Sequence, residues 1–224
     1  AALIFAEIAE AAGLPPGVLN VLTADRAVSE LLVRNPGIDK VTFTGSSAAG
    51  KRIASLCGER IARCTLELGG KSAAVICDDY DVETAARTLA AGTQMLTGQV
   101  CSSLTRMIVS RDRHDEFVDA LASAYAGIRV GDAYDEASQM GPLALARQRD
   151  RVEGYIAKGK ADGAVVATGG GRPAHLNRGF FVEPTVIETT DPNFKLMCEE
   201  IFGPVLTVYV YDDAKMDETL DALD

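Results

Sequence analysis

The sequence lacks a histidine cluster, a C-x-x-C pair, a long apolar run and an excess of positive charge, and each absence removes a class of function. Two histidines among 224 residues leave no histidine-rich metal site, and His114 and His175 both read as surface residues. The five cysteines, Cys57, Cys64, Cys77, Cys101 and Cys198, are odd in number and suit neither a disulfide framework nor structural zinc, so no metal is expected. Free thiols point to a reducing, cytoplasmic setting. No apolar run approaches the roughly 18 residues that cross a bilayer. The first ten residues, AALIFAEIAE, are apolar but carry Glu7 and Glu10 and no basic flank, so they do not read as a signal peptide. Acidic residues outnumber basic ones by 32 to 22, a net charge of −10, which disfavours a nucleic-acid surface.

What remains is the composition of a protein with a real core: 47% hydrophobic and 24% charged, without repeats or low-complexity tracts. Residue 1 is not Met, and the chain opens inside one helical pattern and stops at Asp224 within another, after Met216 and Leu220. A piece of a longer enzyme is the expectation.

Hydrophobic periodicity and turn residues predict helices over Leu3–Ala12, Ala27–Arg34, Ala48–Cys57, Asp81–Leu96, Asp112–Ala126 and most of Pro142–Ala161. Strands are predicted at Val18–Leu22, Lys40–Thr44, Arg63–Glu67, Ser72–Cys77, Leu104–Val109, Ala164–Thr168, Phe180–Ile187 and Pro204–Tyr211. Strands alternating with helices over short connections indicate an α/β fold with a parallel sheet. The expected boundary is Gly69-Gly70, dividing the chain into 1–69 and 70–224.

Three segments carry residues suited to chemistry. In Val41–Lys51 an apolar strand runs through Gly45-Ser46-Ser47 into a helix, whose free N–H groups suit a phosphate, although ordinary strand–helix turns share this form. The same stretch nearly matches a P-loop, with Gly45, Gly50 and Lys51, and Ser72–Asp78 imitates the strand ending in a magnesium-binding Asp. Arg52, however, stands where a metal-binding hydroxyl belongs. In Leu66-Glu67-Leu68-Gly69-Gly70-Lys71 a carboxylate precedes two glycines; burial would raise its pKa and make it a general base, while a solvated strand-end Glu is the plainer reading. In Gly98-Gln99-Val100-Cys101 a thiol sits between helix and strand, a nucleophile if its thiolate is stabilised and otherwise a small core residue. Cys57, Cys64 and Cys77 read as core residues; Cys198 lies beside Glu199-Glu200.

Taken together, these segments resemble the NAD(P)-dependent aldehyde dehydrogenase superfamily. Phe43-Thr44-Gly45-Ser46…Gly50 looks like its cofactor turn, Leu66–Lys71 like its general-base motif and Gly98–Cys101 like its nucleophile motif. Glu199-Glu200-Ile201-Phe202-Gly203-Pro204 looks like its cofactor-ribose motif. Leu14–Val21 and Gly179–Thr185 are also similar to family segments, and the order is the family's.

The resemblance implies a partial Rossmann-type cofactor sheet in 1–69 and a second α/β, catalytic domain in 70–224. It implies oxidation of an aldehyde to a carboxylic acid through a thiohemiacetal and a thioester, with Cys101 as nucleophile and Glu67 as the base that activates water. NAD or NADP would lie with its pyrophosphate at Gly45 and Ser46, its nicotinamide against Leu68 and Gly69, and its ribose on Glu200 beside Phe202. No nucleic-acid or membrane partner is implied; a homo-dimer or homo-tetramer is expected of the full-length enzyme. Thr23–Ser29 replaces the family's usual glycines and Leu96 its usual Asn. The family's oxyanion-hole Asn and its adenosine-ribose Lys fall before residue 1, so the 224 residues alone are expected to be nearly inactive. A catalytically silent module that keeps the fold is the competing reading, and an NTPase a remote third.

Overall fold

The computed structural model describes residues 2–223, with side chains to residue 221. The start at Ala1 and the stop at Asp224 thus lie outside the described residues. The fold is α/β, and the chain divides into two compact units, Ala1–Leu68 and Gly69–Asp224.

The smaller unit contains α1 (Ala2–Ala11), α2 (Arg26–Arg34), β1 (Lys40–Gly45), α3 (Ser47–Glu59) and β2 (Arg63–Leu68). Strands β1 and β2 pair in parallel, with Thr44 opposite Glu67 and Gly45 opposite Leu68. The helices begin where side-chain oxygens satisfy free amides: Asp25 accepts from Val28 N–H at the start of α2, and Ser46 from Ala49 N–H at the start of α3. Helix α3 buries Gly50, Ile53, Leu56 and Cys57, and it approaches β2 so closely that a Cβ on Gly50 would meet Leu68 Cδ2 at 2.6 Å. Helices α1 and α2 bury no residue, and Leu3, Ile4, Phe5 and Ile8 of α1 are all exposed.

The larger unit is built on a five-stranded sheet of order β3-β4-β7-β6-β5. Its strands are β3 (Ser72–Ile76), β4 (Leu104–Ser110), β5 (Val165–Thr168), β6 (Thr185–Thr189) and β7 (Val205–Tyr211). Period-two alternation sends side chains to opposite faces. Met107, Val109, Leu206 and Val208 join the core under α4 (Val82–Gln94) and α5 (His114–Ala126), while Ile108, Ile187 and Val205 join the core under α6 (Ala146–Ala161) and the single turn α7 (Lys195–Cys198). Phe117, Leu121 and Tyr125 of α5 are almost wholly buried, each worth roughly 1.5–3 kcal/mol by area. The unit ends in α8 (Met216–Leu223). Among the described residues no helix is long and apolar enough to cross a membrane, and no cluster of His, Cys, Asp and Glu has the makings of a metal site.

Several sequence expectations are corrected. Residues 18–22 are not a strand: Val18, Leu19 and Leu22 are exposed in irregular backbone after the Pro-Pro-Gly turn. The larger sheet is mixed, because β5 runs antiparallel to β6 through the glycine turn at 169–171. Residues 180–184 are irregular and the strand begins only at Thr185, after Pro184, whose missing N–H cannot enter a ladder. The expected helix 81–96 stops at Gln94, since Leu96 and Thr97 take left-handed backbone. Cys57 is buried as expected, but Cys64 and Cys77 are exposed. His114 is partly covered, 21% exposed, with Asp115 and Glu188 against its ring nitrogens; His175 is exposed.

Candidate functional site

Four of the expected site residues, Gly45, Ser46, Glu67 and Leu68, belong to the smaller unit, and four, Gly69, Cys101, Glu200 and Phe202, to the larger.

In the smaller unit, Ser46 stands at the junction of β1 and α3, where its hydroxyl receives the Ala49 N–H at 3.3 Å and Gly50 N–H bonds to its carbonyl. The turn is exposed, so the remaining first-turn amides face outward with the positive end of α3. One residue beyond Lys51, Arg52 donates to Glu30 at 2.7 Å. With Arg34 it holds the Glu30 carboxyl down to about 2. The position that a P-loop uses for a magnesium ligand is thus committed to an ion pair, which argues against the NTPase reading. Glu67 is exposed, matching the plainer of its two readings, and lies opposite Thr44 at the end of β2 next to Leu68.

In the larger unit, the segment between α4 and β4 carries Cys101. Its backbone takes three left-handed residues in succession, Leu96 (φ 48°), Thr97 (φ 58°) and Gly98 (φ 69°). Gly98 packs against backbone: a Cβ there would lie 2.6 Å from the Gly203 carbonyl carbon. Two side chains tie the segment to residues 141–144. Thr97 Oγ1 donates to Gly141 O at 3.1 Å, and Gln99 Oε1 accepts the Ala144 N–H at 3.2 Å. Cys101 follows, exposed, and its carbonyl oxygen faces Gly70, where a Cβ would reach it at 4.0 Å.

Beside Gly70 sits the carboxylate of Glu200. A Cβ on Gly69 would come within 2.5 Å of Glu200 Oε1 and closer still to Oε2, so the missing side chain is what lets the carboxylate in. Burial pushes the Glu200 carboxyl above the ordinary range, opposed by Arg151, the Gly70 N–H and Lys71. Lys71 is pushed down to about 8, first by burial and then by Arg106, while Glu200 pulls it back. Glu200 Oε1 and Lys71 Nζ are both buried and make no hydrogen bond. Phe202, half-exposed, takes φ 62° in the next turn.

The structure therefore brings Gly69, Cys101 and Glu200 to one neighbourhood of the larger unit. Sequence reasoning missed the roles of Lys71, Thr97, Gln99, Gln148 and Arg151. Lys71 and Gln99 stood inside quoted motifs; nothing in the sequence marked the other three. Two clefts of this unit lie elsewhere. One, of about 740 Å³, opens beside Arg129, Asp132 and His175; the other, of about 730 Å³, beside His114, Lys158 and Glu188.

The chain matches the model of the aldehyde dehydrogenase family over residues 1–222. It is 46% identical over 209 residues to geranial dehydrogenase of Castellaniella defragrans, covering 93% of this chain and 43% of that protein. To betaine aldehyde dehydrogenase 1 of Rhizobium meliloti it is 44% identical over 213 residues, covering 95% and 44%. The structure superposes on a Mycobacterium tuberculosis aldehyde dehydrogenase complexed with NAD+ with a TM-score of 0.93 at 42% identity, over 99% of this chain and 45% of that one. A mutant aldehyde dehydrogenase C of Pseudomonas syringae, in complex with NAD+ and octanal, gives 0.94 at 37% identity, covering 99% and 46%. The chain thus spans less than half the length of these relatives.

Proposed function

We propose, for a chain that belongs to the aldehyde dehydrogenase family, that it carries the nucleophile, general base and part of the cofactor site of an enzyme oxidising an aldehyde to a carboxylic acid with NAD+ or NADP+. The observation that carries the reading is the neighbourhood of Cys101. Exposed Cys101 follows a clamped segment with its carbonyl set against Gly70, and the adjacent Gly69 admits the Glu200 carboxylate, one oxygen of which is buried without a hydrogen bond.

The residues fit a dinucleotide on physical grounds. Glu200 Oε1 is an acceptor without a donor, and a ribose supplies two hydroxyl donors. The exposed turn at Gly45 and Ser46, opening α3, suits a pyrophosphate. Leu68 and Gly69 would border the nicotinamide, and Phe202 would flank it. Bound there, the nicotinamide supplies the hydride acceptor of the oxidation. Relatives solved with NAD+ favour that form of the cofactor.

The chain's own residues do the remaining chemistry. Cys101, as thiolate, adds to the aldehyde carbon and forms a C–S bond, leaving a thiohemiacetal oxygen. Loss of hydride from that carbon leaves an acyl thioester on the same sulfur. Glu67 takes a proton from water as the water attacks the acyl carbon, releasing the acid and the Cys101 thiolate. The smaller unit is read as part of the cofactor-binding domain and the larger as the catalytic domain. The relatives named for geranial and betaine aldehyde leave the substrate at the level of an aldehyde. A homo-dimer or homo-tetramer of the full-length enzyme and a cytoplasmic location belong to the same proposal.

The test is alkylation of the chain with iodoacetamide, read sulfur by sulfur by mass spectrometry. Cys101 is expected to react faster than Cys64, Cys77 and Cys198, and faster again with NAD+ present. Uniform reaction of the exposed sulfurs would favour a catalytically silent module. Aldehyde-dependent NADH formation by these residues alone is expected to be close to nil, because the family's oxyanion donor is expected outside them.

A further inference from the structure

The loop that carries Cys101 and the turn that carries Glu200 and Phe202 are both strained, and both are held by the same stretch of chain. Left-handed backbone at residues with a Cβ persists only where surrounding contacts over-determine it. At the first loop the contacts are Thr97 Oγ1 to Gly141 O and Ala144 N–H to Gln99 Oε1, with Gln99 Nε2 closing the loop on Leu96 O at 3.0 Å. Just downstream, Gln148 on the first turns of α6 donates to Phe202 O at 2.7 Å and Ile201 O at 3.0 Å. Arg151 on the same helix donates to Glu200 O at 2.6 Å. Between the two sets of contacts lie only Leu145, Ala146 and Arg147 at the start of α6, and within the first set Leu143 is fully buried and bonded through its N–H to Phe180 O.

We infer that residues 141–151 form a strut coupling the nucleophile loop to the Glu200–Phe202 turn, with Gln99 and Gln148 as the positioning residues at its two ends. A displacement at the turn is then felt at Cys101 through this strut, in addition to the packing of Gly98 on Gly203, and the reverse follows from linkage. The catalytic meaning of the coupling rests on the functional reading above; the coupling itself does not, and it is measured without turnover.

The experiment is hydrogen exchange by mass spectrometry on the 224-residue chain, with the Gln148→Met, Gln99→Met and Gln99→Glu variants, and sulfur-resolved alkylation of the same samples. Gln148→Met is expected to speed exchange at least threefold in peptides spanning 95–103, which Gln148 does not touch, with β4 and β7 unchanged. Gln99→Met is expected to do the same at 144–149 and at 200–202. Gln99→Glu keeps the acceptor for the Ala144 N–H while losing the donor to Leu96 O, and is expected to leave exchange at 200–202 nearer the parent's than Gln99→Met does. Alkylation is expected to change at Cys101 alone, with Cys57 still protected. Deprotection confined to each variant's own contacts would overturn the strut. So would a uniform rise that includes β4, β7 and Cys57, because it would mark both glutamines as general stabilisers.

Discussion

Gly98→Ala tests whether the Cys101 loop is as tightly set as its contacts imply. The new Cβ would sit 2.6 Å from the Gly203 carbonyl carbon and 2.9 Å from Pro204 N, inside any van der Waals distance. Both are backbone atoms, and Gly203 and Pro204 lead directly into the buried strand β7, so neither can swing aside as a side-chain end would. The φ of 69° adds the left-handed penalty of about 1–2 kcal/mol for a residue with a Cβ. Forcing apart a packed contact adds about 1–3 kcal/mol. The sum, about 2–5 kcal/mol, is a large share of the roughly 5–15 kcal/mol that stabilises a domain. Thermal unfolding followed by far-ultraviolet circular dichroism should show the transition of the larger unit roughly 4–20 °C lower, taking about 2–4 °C per kcal/mol at this size. A melting point within about 2 °C of the parent would refute the reasoning, because it would mean that residues 98 and 203 separate freely.

Gly69→Ala makes the opposite prediction: its Cβ meets the far end of the Glu200 side chain, which can move out. The melting point should stay within about 4 °C of the parent, while the Glu200 carboxyl, raised by burial, should titrate nearer the ordinary glutamate range by NMR. Lys71 carries a pH signature. Its pKa of about 8 lies below the unfolded value of 10.5, so the unfolded chain binds the extra proton across that window. Its destabilising effect is fully present below pH 8 and is relieved as pH rises towards 10.5. Lys71→Met should raise stability at neutral pH by on the order of 1–3 kcal/mol and abolish the rise in alkali seen by urea unfolding. Retention of that rise in the variant would assign it elsewhere. Ser46→Ala removes the α3 cap and should cost about 1 kcal/mol in the transition of the smaller unit alone, measured in the same urea titrations.

The sequence made legible what depends on local pattern. The strands β1 and β2, the bodies of α3 and α4 and the amphipathic face of α5 follow from apolar periodicity and turn residues, whereas the caps Ser46 and Asp81 emerge only in the structure. It misled where apolar residues lack a partner: Val18–Leu22 has the composition of a strand but pairs with nothing among the described residues and is exposed. The exposure of Glu67 has a related reason. Glu67 occupies the outward phase of a strand whose alternate residues, Leu66 and Leu68, are the partly covered ones, and period-two alternation alone cannot say which phase a carboxylate is meant to fill.

The neighbourhood of Cys101 was legible in its residues but not in its mechanics, and the difference is physical. Hydrophobic burial and helix capping restrict residue type and spacing, so they leave a record that can be read along the chain. A side-chain donor that seeks a backbone carbonyl leaves none, because every residue has a carbonyl. Thr97 reaches one 44 residues away and Gln148 one 53 residues away. Either bond would satisfy its donor equally well at many other carbonyls, so only the fold selects the partner. What the sequence does register is the counterpart of such bonds: places where a side chain would have to displace a neighbour. Gly69 admits a carboxylate and Gly98 admits a backbone, and both glycines stood in the quoted motifs before any partner was known. A glycine in the middle of a chemical motif is therefore a better pointer to a tightly built site than the polar residues around it, since it marks a close approach that any side chain would disturb.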